Sequence, residues 1–152
     1  MSHNVTVSDI KINDIDALRM AVEELSQEGK KIKLLTNATY RGYSAVQSGV
    51  YPYVLNLIDS PYDVALQSDG QGNYSPVFDP WQSHVKKQIG INGGENVEGK
   101  ACDINSNPAH LGLLMQRYAV CKAELEAGRA GLSTTRMYDD KTKQYNLEVV
   151  GY

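Results

Sequence analysis

The segment from Gly94 to Ala101 comes closest to a catalytic motif in this sequence. Two of its glycines and Lys100 have the spacing of a phosphate-binding P-loop. That motif needs Ser or Thr after the lysine to hold Mg²⁺, with a strand before the loop and a helix directly after it. Here Ala101 occupies the Mg²⁺ position, and Glu95 and Glu98 would repel phosphate. We therefore do not expect nucleotide hydrolysis.

Histidines and cysteines are the other residues that could bind a metal or supply a nucleophile. Zinc sites use closely spaced ligand pairs, and the sequence contains no Cys-x-x-Cys, His-x-x-x-His or Glu-x-x-His pair. Cys102 and His110 are the nearest Cys–His pair, but Cys102 falls in a polar loop that would fix their geometry poorly. We expect no catalytic constellation, no metal and no cofactor. All three histidines, His3, His84 and His110, are expected on the surface, and Cys121 in the core.

Aromatic and basic residues combine in the segment Tyr40-Arg41-Gly42-Tyr43, which could stack the bases of a single-stranded nucleic acid. The alternative is a twisted sheet position where Gly42 allows close packing. The net charge of −3 lacks the basic excess typical of nucleic-acid binding. Nucleic acid is therefore the third of our hypotheses for a partner.

Composition is that of an ordinary globular chain. The 152 residues suffice for one hydrophobic core, and we expect a single domain over 1–152. Two cysteines indicate no disulfide framework, no leader pattern opens the chain, and no apolar run approaches the ~20 residues that cross a bilayer. These features predict a cytoplasmic protein without a membrane partner. The sequence has ten tyrosines but only one tryptophan and one phenylalanine, a profile that favours a sheet surface that takes part in an interface.

Hydrophobic spacing and turn residues predict the elements. Asn13 or Asp14 caps a first helix that ends near Gly29, and a second helix starts at Asn107-Pro108 and ends near Gly128 or Gly131. Between and after them the alternation predicts strands, after an opening strand with a bulge before Ile12. These predicted strands are Ile32 to Leu35, Thr39 to Tyr43, Tyr53 to Ile58, Tyr62 to Gln67, Tyr74 to Phe78, Ser133 to Tyr138 and Lys143 to Val150.

Strands that occur in runs, instead of alternating with helices, indicate the α+β class. We expect an antiparallel β-sheet with two α-helices packed on one face and a C-terminal β-hairpin. A polar, glycine-rich loop over 90–107 connects the sheet to the second helix. Loops of this length are often functional, so we expect this one to be an appendage that takes part in binding.

Several short motifs agree in order with a known group of proteins: Met1-Ser2-His3, Asp14 to Leu18, Arg41-Gly42-Tyr43, Tyr62-Asp63-Val64, Trp81 and Gln116-Arg117-Tyr118-Ala119. With them the chain resembles the uncharacterised small proteins encoded in chloroplast and cyanobacterial genomes, a family of unknown function. The resemblance implies no activity, cofactor or catalytic residue. It marks binding candidates, with Tyr118 as a further matching position: Arg41, Tyr43, Asp63, Trp81, Gln116 and Arg117.

This chain departs from the family pattern in a longer connection between Ser44 and Tyr53 and in the inserted loop over 90–107. An enlarged relative of this kind could be virus-encoded, as a structural or accessory protein. Our leading hypothesis is a non-enzymatic binding or assembly protein that contacts a protein partner or further copies of itself. The alternative is a small-ligand site for a nucleotide or metabolite, built around Arg41 and Arg117.

Overall fold

Five antiparallel strands form the main sheet, in the order β1-β5-β4-β3-β2. The computed structural model describes residues 5–6, 11–42, 49–79, 84–90, 111–141 and 144–151. A separate hairpin of two strands, β6 and β7, closes the described chain. The elements are β1 (Val5–Thr6), α1 (Ile15–Gln27), β2 (Ile32–Thr39), β3 (Val50–Leu57), β4 (Val64–Ser68), β5 (Tyr74–Phe78), α2 (His84–Ile89), α3 (Gly112–Arg129), β6 (Ser133–Asp139) and β7 (Gln144–Val150).

Local capping defines helix α1, as predicted. Asp14 has an extended backbone, and its carboxylate accepts a hydrogen bond from Ala17 N at 3.1 Å. Such a bond satisfies one of the N–H groups that a helix leaves unpaired at its start. At the other end Gly29 has φ +99°, a left-handed conformation that favours glycine.

The main core lies between one face of the sheet and the helices, which confirms the α+β architecture. Its buried members include Leu18 of α1, Leu55 and Val64 of the sheet, and Leu114 and Cys121 of α3. Helical spacing predicts a buried stripe on the second helix, made of Leu111, Leu114, Tyr118, Cys121 and Leu125. This prediction is largely confirmed, although Leu125 is only partly buried. Both long helices therefore pack on the same side of the sheet.

A second, smaller cluster lies on the opposite face of the sheet. Val54, Ala65 and Val77 follow one another across three paired strands, and all three are buried. Tyr40 is fully buried beside them and meets Tyr51 edge to face, with ring centroids 5.8 Å apart. Burial raises the pKa of the Tyr40 hydroxyl.

The prediction of two strands from Ile32 to Leu35 and from Thr39 to Tyr43 was wrong. One continuous strand, β2, extends from Ile32 to Thr39 and pairs with β3 at each of its residues except Asn37. Asn37 has φ +48°, a conformation that asparagine tolerates better than most residues, and it lies where the prediction had a break between two strands. The residues after Gly42 in the second predicted segment lie outside the described residues.

The C-terminal hairpin was predicted nearly to the residue. Strand β6 pairs with β7 from Ser133↔Val150 to Asp139↔Gln144. The start of the second helix at Asn107-Pro108 and, apart from Gly90, the loop over 90–107 lie outside the described residues. No helix in the described ranges is both long and apolar enough to cross a bilayer. The single domain over 1–152 stays a prediction.

Candidate functional site

Asp63, one of the predicted site residues, forms a buried joint at the end of the main sheet. It is 1% exposed, and its carboxylate accepts hydrogen bonds from Leu57 N at 3.2 Å and Asn56 Nδ2 at 3.1 Å. Arg41 adds its backbone N at 3.1 Å, its Nε at 3.0 Å and its Nη2 at 2.6 Å. The same Nη2 donates to Leu57 O at 2.8 Å. Asp63 therefore ties the segment after β2 to the end of β3.

The pair of Arg41 and Asp63 is matched in both charge and hydrogen bonding. The hydrogen bond to the carboxylate raises the pKa of the Arg41 guanidinium. Its side chain is 43% exposed, whereas that of Asp63 is 2% exposed. This geometry is that of a structural ion pair, because the guanidinium donates from Nε and Nη2 to Asp63 and from Nη2 to Leu57 O.

Arg117, the second predicted arginine, is buried between α3 and α1. Its guanidinium donates to Glu24 at 3.2 Å and to both carboxylate oxygens of Glu28. It also donates to the hydroxyl of Tyr145 at 3.0 Å and lies 5.3 Å from the centre of that ring. From the sequence alone, the place of Arg117 on the second helix predicts an acid on the sheet or a ligand as its partner. The acids lie on helix α1 instead, so the prediction of a sheet partner was wrong.

Arg136 of the hairpin joins the same charged cluster. It donates to Glu24 at 2.6 and 2.9 Å and to Glu124 at 2.5 to 3.0 Å. The hydrogen bond from Arg136 lowers the pKa of Glu24, and that from Arg117 lowers the pKa of Glu28. Two guanidinium groups therefore share three carboxylates and fasten the hairpin to α1 and α3.

This cluster also surrounds a buried thiol. The Cys121 Sγ lies 3.4 Å from Glu24 Oε2 and 3.6 Å from Arg136 Nη2. Burial raises the pKa of the thiol to about 12, with the Glu24 charge as a further cause. A thiol with so high a pKa is neutral at physiological pH and is a poor nucleophile. Its surroundings identify Cys121 as a structural residue.

The remaining predicted site residues are not brought together. Gln116 is half-buried on α3, next to Arg117 in sequence. Tyr43 and Trp81 lie outside the described residues. Among the described residues Arg41 and Arg117 have no partner in common, so their contacts do not bring the two arginines together. Within the described ranges, no group of three His, Cys, Asp or Glu side chains could hold a metal ion.

A groove that sequence reasoning missed lies between α1 and β2. Its volume of about 440 Å³ is in the range of ordinary ligand sites. The apolar residues of its lining include Val22, Ile32 and Leu34, and the lining also contains several residues with polar side chains. The lining residues are Arg19, Val22, Glu23, Ser26, Gln27, Ile32, Lys33, Leu34 and Leu35.

The groove follows strand β2, which lies at one edge of the sheet. Among the described strands β2 is the last in the order, with β3 on its only paired side. Ile58 N donates to Lys31 O, and hydrogen-bonded pairs alternate along an antiparallel ladder. Lys33 and Leu35 therefore direct their backbone groups to β3, whereas Leu34 and Thr36 direct theirs away from the sheet.

Only tertiary structure reveals this edge. The alternation of Ile32 and Leu34 predicts a strand but not its place in the sheet order, which depends on residues far along the chain. A comparison of the chain with protein-family models, curated proteins and solved structures finds no match. The resemblance to the chloroplast and cyanobacterial proteins therefore stays a prediction.

Proposed function

We propose that this protein is a protein-binding module that takes an extended segment of a partner chain into the groove between α1 and β2. The observation that carries the proposal is the edge strand along this groove, with the backbone groups of Leu34 and Thr36 directed outward. Such a segment would add to the sheet as a sixth strand beside the five. In this mode, main-chain hydrogen bonds supply affinity and alternate side chains supply specificity.

Helix α1 gives the groove a second wall. A strand added beside β2 would direct every other side chain towards α1, because side chains alternate between the two faces of a sheet. Val22 and Leu34 offer an apolar surface on that side, and Leu35, 37% exposed, offers one on the opposite face. The groove therefore provides contacts for both sets of side chains of a bound segment.

The rival small-ligand hypothesis has less support. It required Arg41 and Arg117 to be available, and each guanidinium is engaged by carboxylates, Arg41 by Asp63 and Arg117 by Glu24 and Glu28. A small molecule in the α1–β2 groove would not need the outward backbone groups of β2. Dependence of binding on those groups thus separates the two hypotheses.

The test uses a display library of random ten-residue peptides and two variants at one position. Thr36→Pro removes the outward N–H at an exposed edge position, where proline is tolerated. Thr36→Ala keeps the N–H and is the matched control. We expect peptides selected on the wild-type protein to bind Thr36→Ala normally and Thr36→Pro at least tenfold more weakly. Selected peptides should also slow amide hydrogen exchange at Leu34 and Thr36.

Equal binding to Thr36→Pro and to Thr36→Ala, with both variants folded, would refute strand addition. So would a library that yields no enriched peptide. Self-association of the wild-type chain that Thr36→Pro abolishes would assign the edge to a second copy instead.

A further inference from the structure

Charges along the α1–β2 groove point to the chemistry of its partner. The chain has five arginines, and four of them form ion pairs with carboxylates: Arg41, Arg117, Arg129 and Arg136. Arg19, in the groove, is the exception among them within the described part of the chain. Lys33, also in the groove, likewise has no carboxylate partner there. Arg19 and Lys33 are both exposed.

We infer that the segment bound in this groove is acidic at its ends and apolar between them, in the order acidic, apolar, apolar, acidic. This inference rests on the proposed function. Among the described residues that line the groove, Glu23 is the one acid, so the two cations Arg19 and Lys33 give this lining a net positive charge. The whole chain has a net charge of −3, so the groove differs in sign from the protein that surrounds it.

The order of residues follows from the register of the strands. Leu34 packs against the core that α1 covers, so a partner residue beside Leu34 points towards α1 and Val22. One beside Leu35 points to the opposite face. Both neighbours are apolar, and both favour an apolar side chain in the partner.

The two ends of the segment meet the two cations. Arg19 lies over the ring of Tyr53, 5.9 Å from its centre, and Tyr53 pairs with Thr36. A partner residue beside Thr36 therefore points to the face of the sheet on which Arg19 lies. A partner residue beside Lys33 points to the opposite face, on which the Lys33 side chain lies. Positions 33 to 36 therefore favour, in this order, an acidic, an apolar, an apolar and an acidic residue in the partner. This order is the same when it is reversed, so the pattern holds for both parallel and antiparallel addition.

Charge also argues against a second copy as the occupant. Pairing of β2 with its own copy about Leu34 would bring both Lys33 side chains to one face of the joined sheet, within two residues of each other along the strands. Like charges so close on one face are destabilising. An acidic segment instead supplies each cation with a carboxylate.

The test compares three fluorescent eight-residue peptides that differ only at the two positions that flank a central valine pair. Both positions carry glutamate in the first peptide, glutamine in the second and lysine in the third. We expect the glutamate peptide to bind best by anisotropy, about tenfold more tightly than the glutamine peptide, since each exposed ion pair contributes up to about fivefold. The lysine peptide should bind more weakly than both. This preference should shrink in 0.5 M salt, where the screening length falls to about 4 Å.

Variants assign the effect to residues. Arg19→Gln and Lys33→Gln should each weaken the glutamate peptide about threefold to fivefold and leave the glutamine peptide unchanged, whereas Glu23→Gln should strengthen the glutamate peptide. Lys141→Gln, at an exposed turn, is the matched control and should change nothing.

Equal affinity for the glutamate and glutamine peptides, with both lost in Thr36→Pro, would overturn the acidic pattern and leave strand addition standing. Glutamate-peptide binding that Thr36→Pro does not weaken would overturn strand addition itself. No binding of either peptide, while library peptides of another pattern bind, would again overturn only the pattern. Tighter binding of an oligothymidylate than of the glutamate peptide, weakened by Lys33→Gln, would assign the groove to nucleic acid.

Discussion

Asp63→Asn should be one of the most destabilising single-atom changes in this protein. The carboxylate is 1% exposed and accepts from Leu57 N, Asn56 Nδ2 and three nitrogens of Arg41. An amide has only one acceptor oxygen, so its NH₂ group would face donors in either orientation. Two lost bonds, one of them to a charged group, correspond to about 3 kcal/mol in the free energy of unfolding.

Urea denaturation measures this loss, with Asp59→Asn as the matched control. Asp59 is 52% exposed and pairs with Lys31 at 3.3 Å, so its substitution should cost less than about 1 kcal/mol. In a chain of this size, 3 kcal/mol also lowers the midpoint of thermal unfolding by about 6 to 12 °C. An Asp63→Asn protein within about 0.5 kcal/mol of wild type, or as stable as Asp59→Asn, would refute the buried joint.

Three further predictions concern the helices and the charged cluster. Tyr118→Ala should cost about 3 kcal/mol or more and Tyr118→Phe about 1 to 2 kcal/mol, because the buried hydroxyl accepts from Asn13 N and Asp14 N; a Tyr118→Phe protein as stable as wild type in urea denaturation would contradict the role of the hydroxyl. Cys121 should resist a thiol reagent in the folded protein, with its pKa raised to about 12 by burial, and labelling as fast as in urea would contradict this. The pKa values of Glu24 and Glu28 are lowered from 4.5 by Arg136 and Arg117, so their stabilisation is complete above that value and is lost as the pH falls through the folded pKa values. Unfolding free energy measured from about pH 5 to pH 3 should therefore fall less steeply in Glu24→Gln than in wild type, and equal slopes would contradict the lowered pKa values.

Elements defined by local signals were predictable. The cap at Asp14 and the glycine at Gly29 define α1, and the hairpin follows from its alternation and its polar turn. Tyr74 to Phe78 was predicted with the observed bounds. In each case the signal lies within a few residues of the structure that it determines.

Partners that lie far apart in the chain were not predictable. The helical spacing of the apolar residues in α1 places Glu24 on the polar face of that helix, yet Glu24 binds Arg136, 112 residues away. The position of Arg117 between Leu114 and Cys121 on the helix does place it on the buried stripe, and so it needs a charged partner. Nothing local indicates that this partner comes from α1, because the packing of α1 on α3 decides it.

Asn37 explains both the error in β2 and the shape of the proposed binding edge. Pro52, which the register places opposite Asn37, has no N–H for the ladder. Before this point Lys31 O accepts from Ile58 N, directly after β3, so odd-numbered residues are bonded; after it, Tyr40 N donates to Gly49 O at 2.8 Å, so even-numbered residues are bonded. The outward backbone groups therefore belong to even-numbered residues before Asn37 and to odd-numbered residues after it.

A long regular edge strand is a hazard, because it can pair with any other exposed strand. The change at Asn37 ends the regular edge after Thr36, with outward groups at Leu34 and Thr36 in register. A segment that adds to β2 can thus pair regularly over only a few residues, which match the positions from Lys33 to Thr36 that define the acidic, apolar, apolar, acidic pattern. The same irregularity that limits open-ended pairing would set the length of the segment that this protein binds.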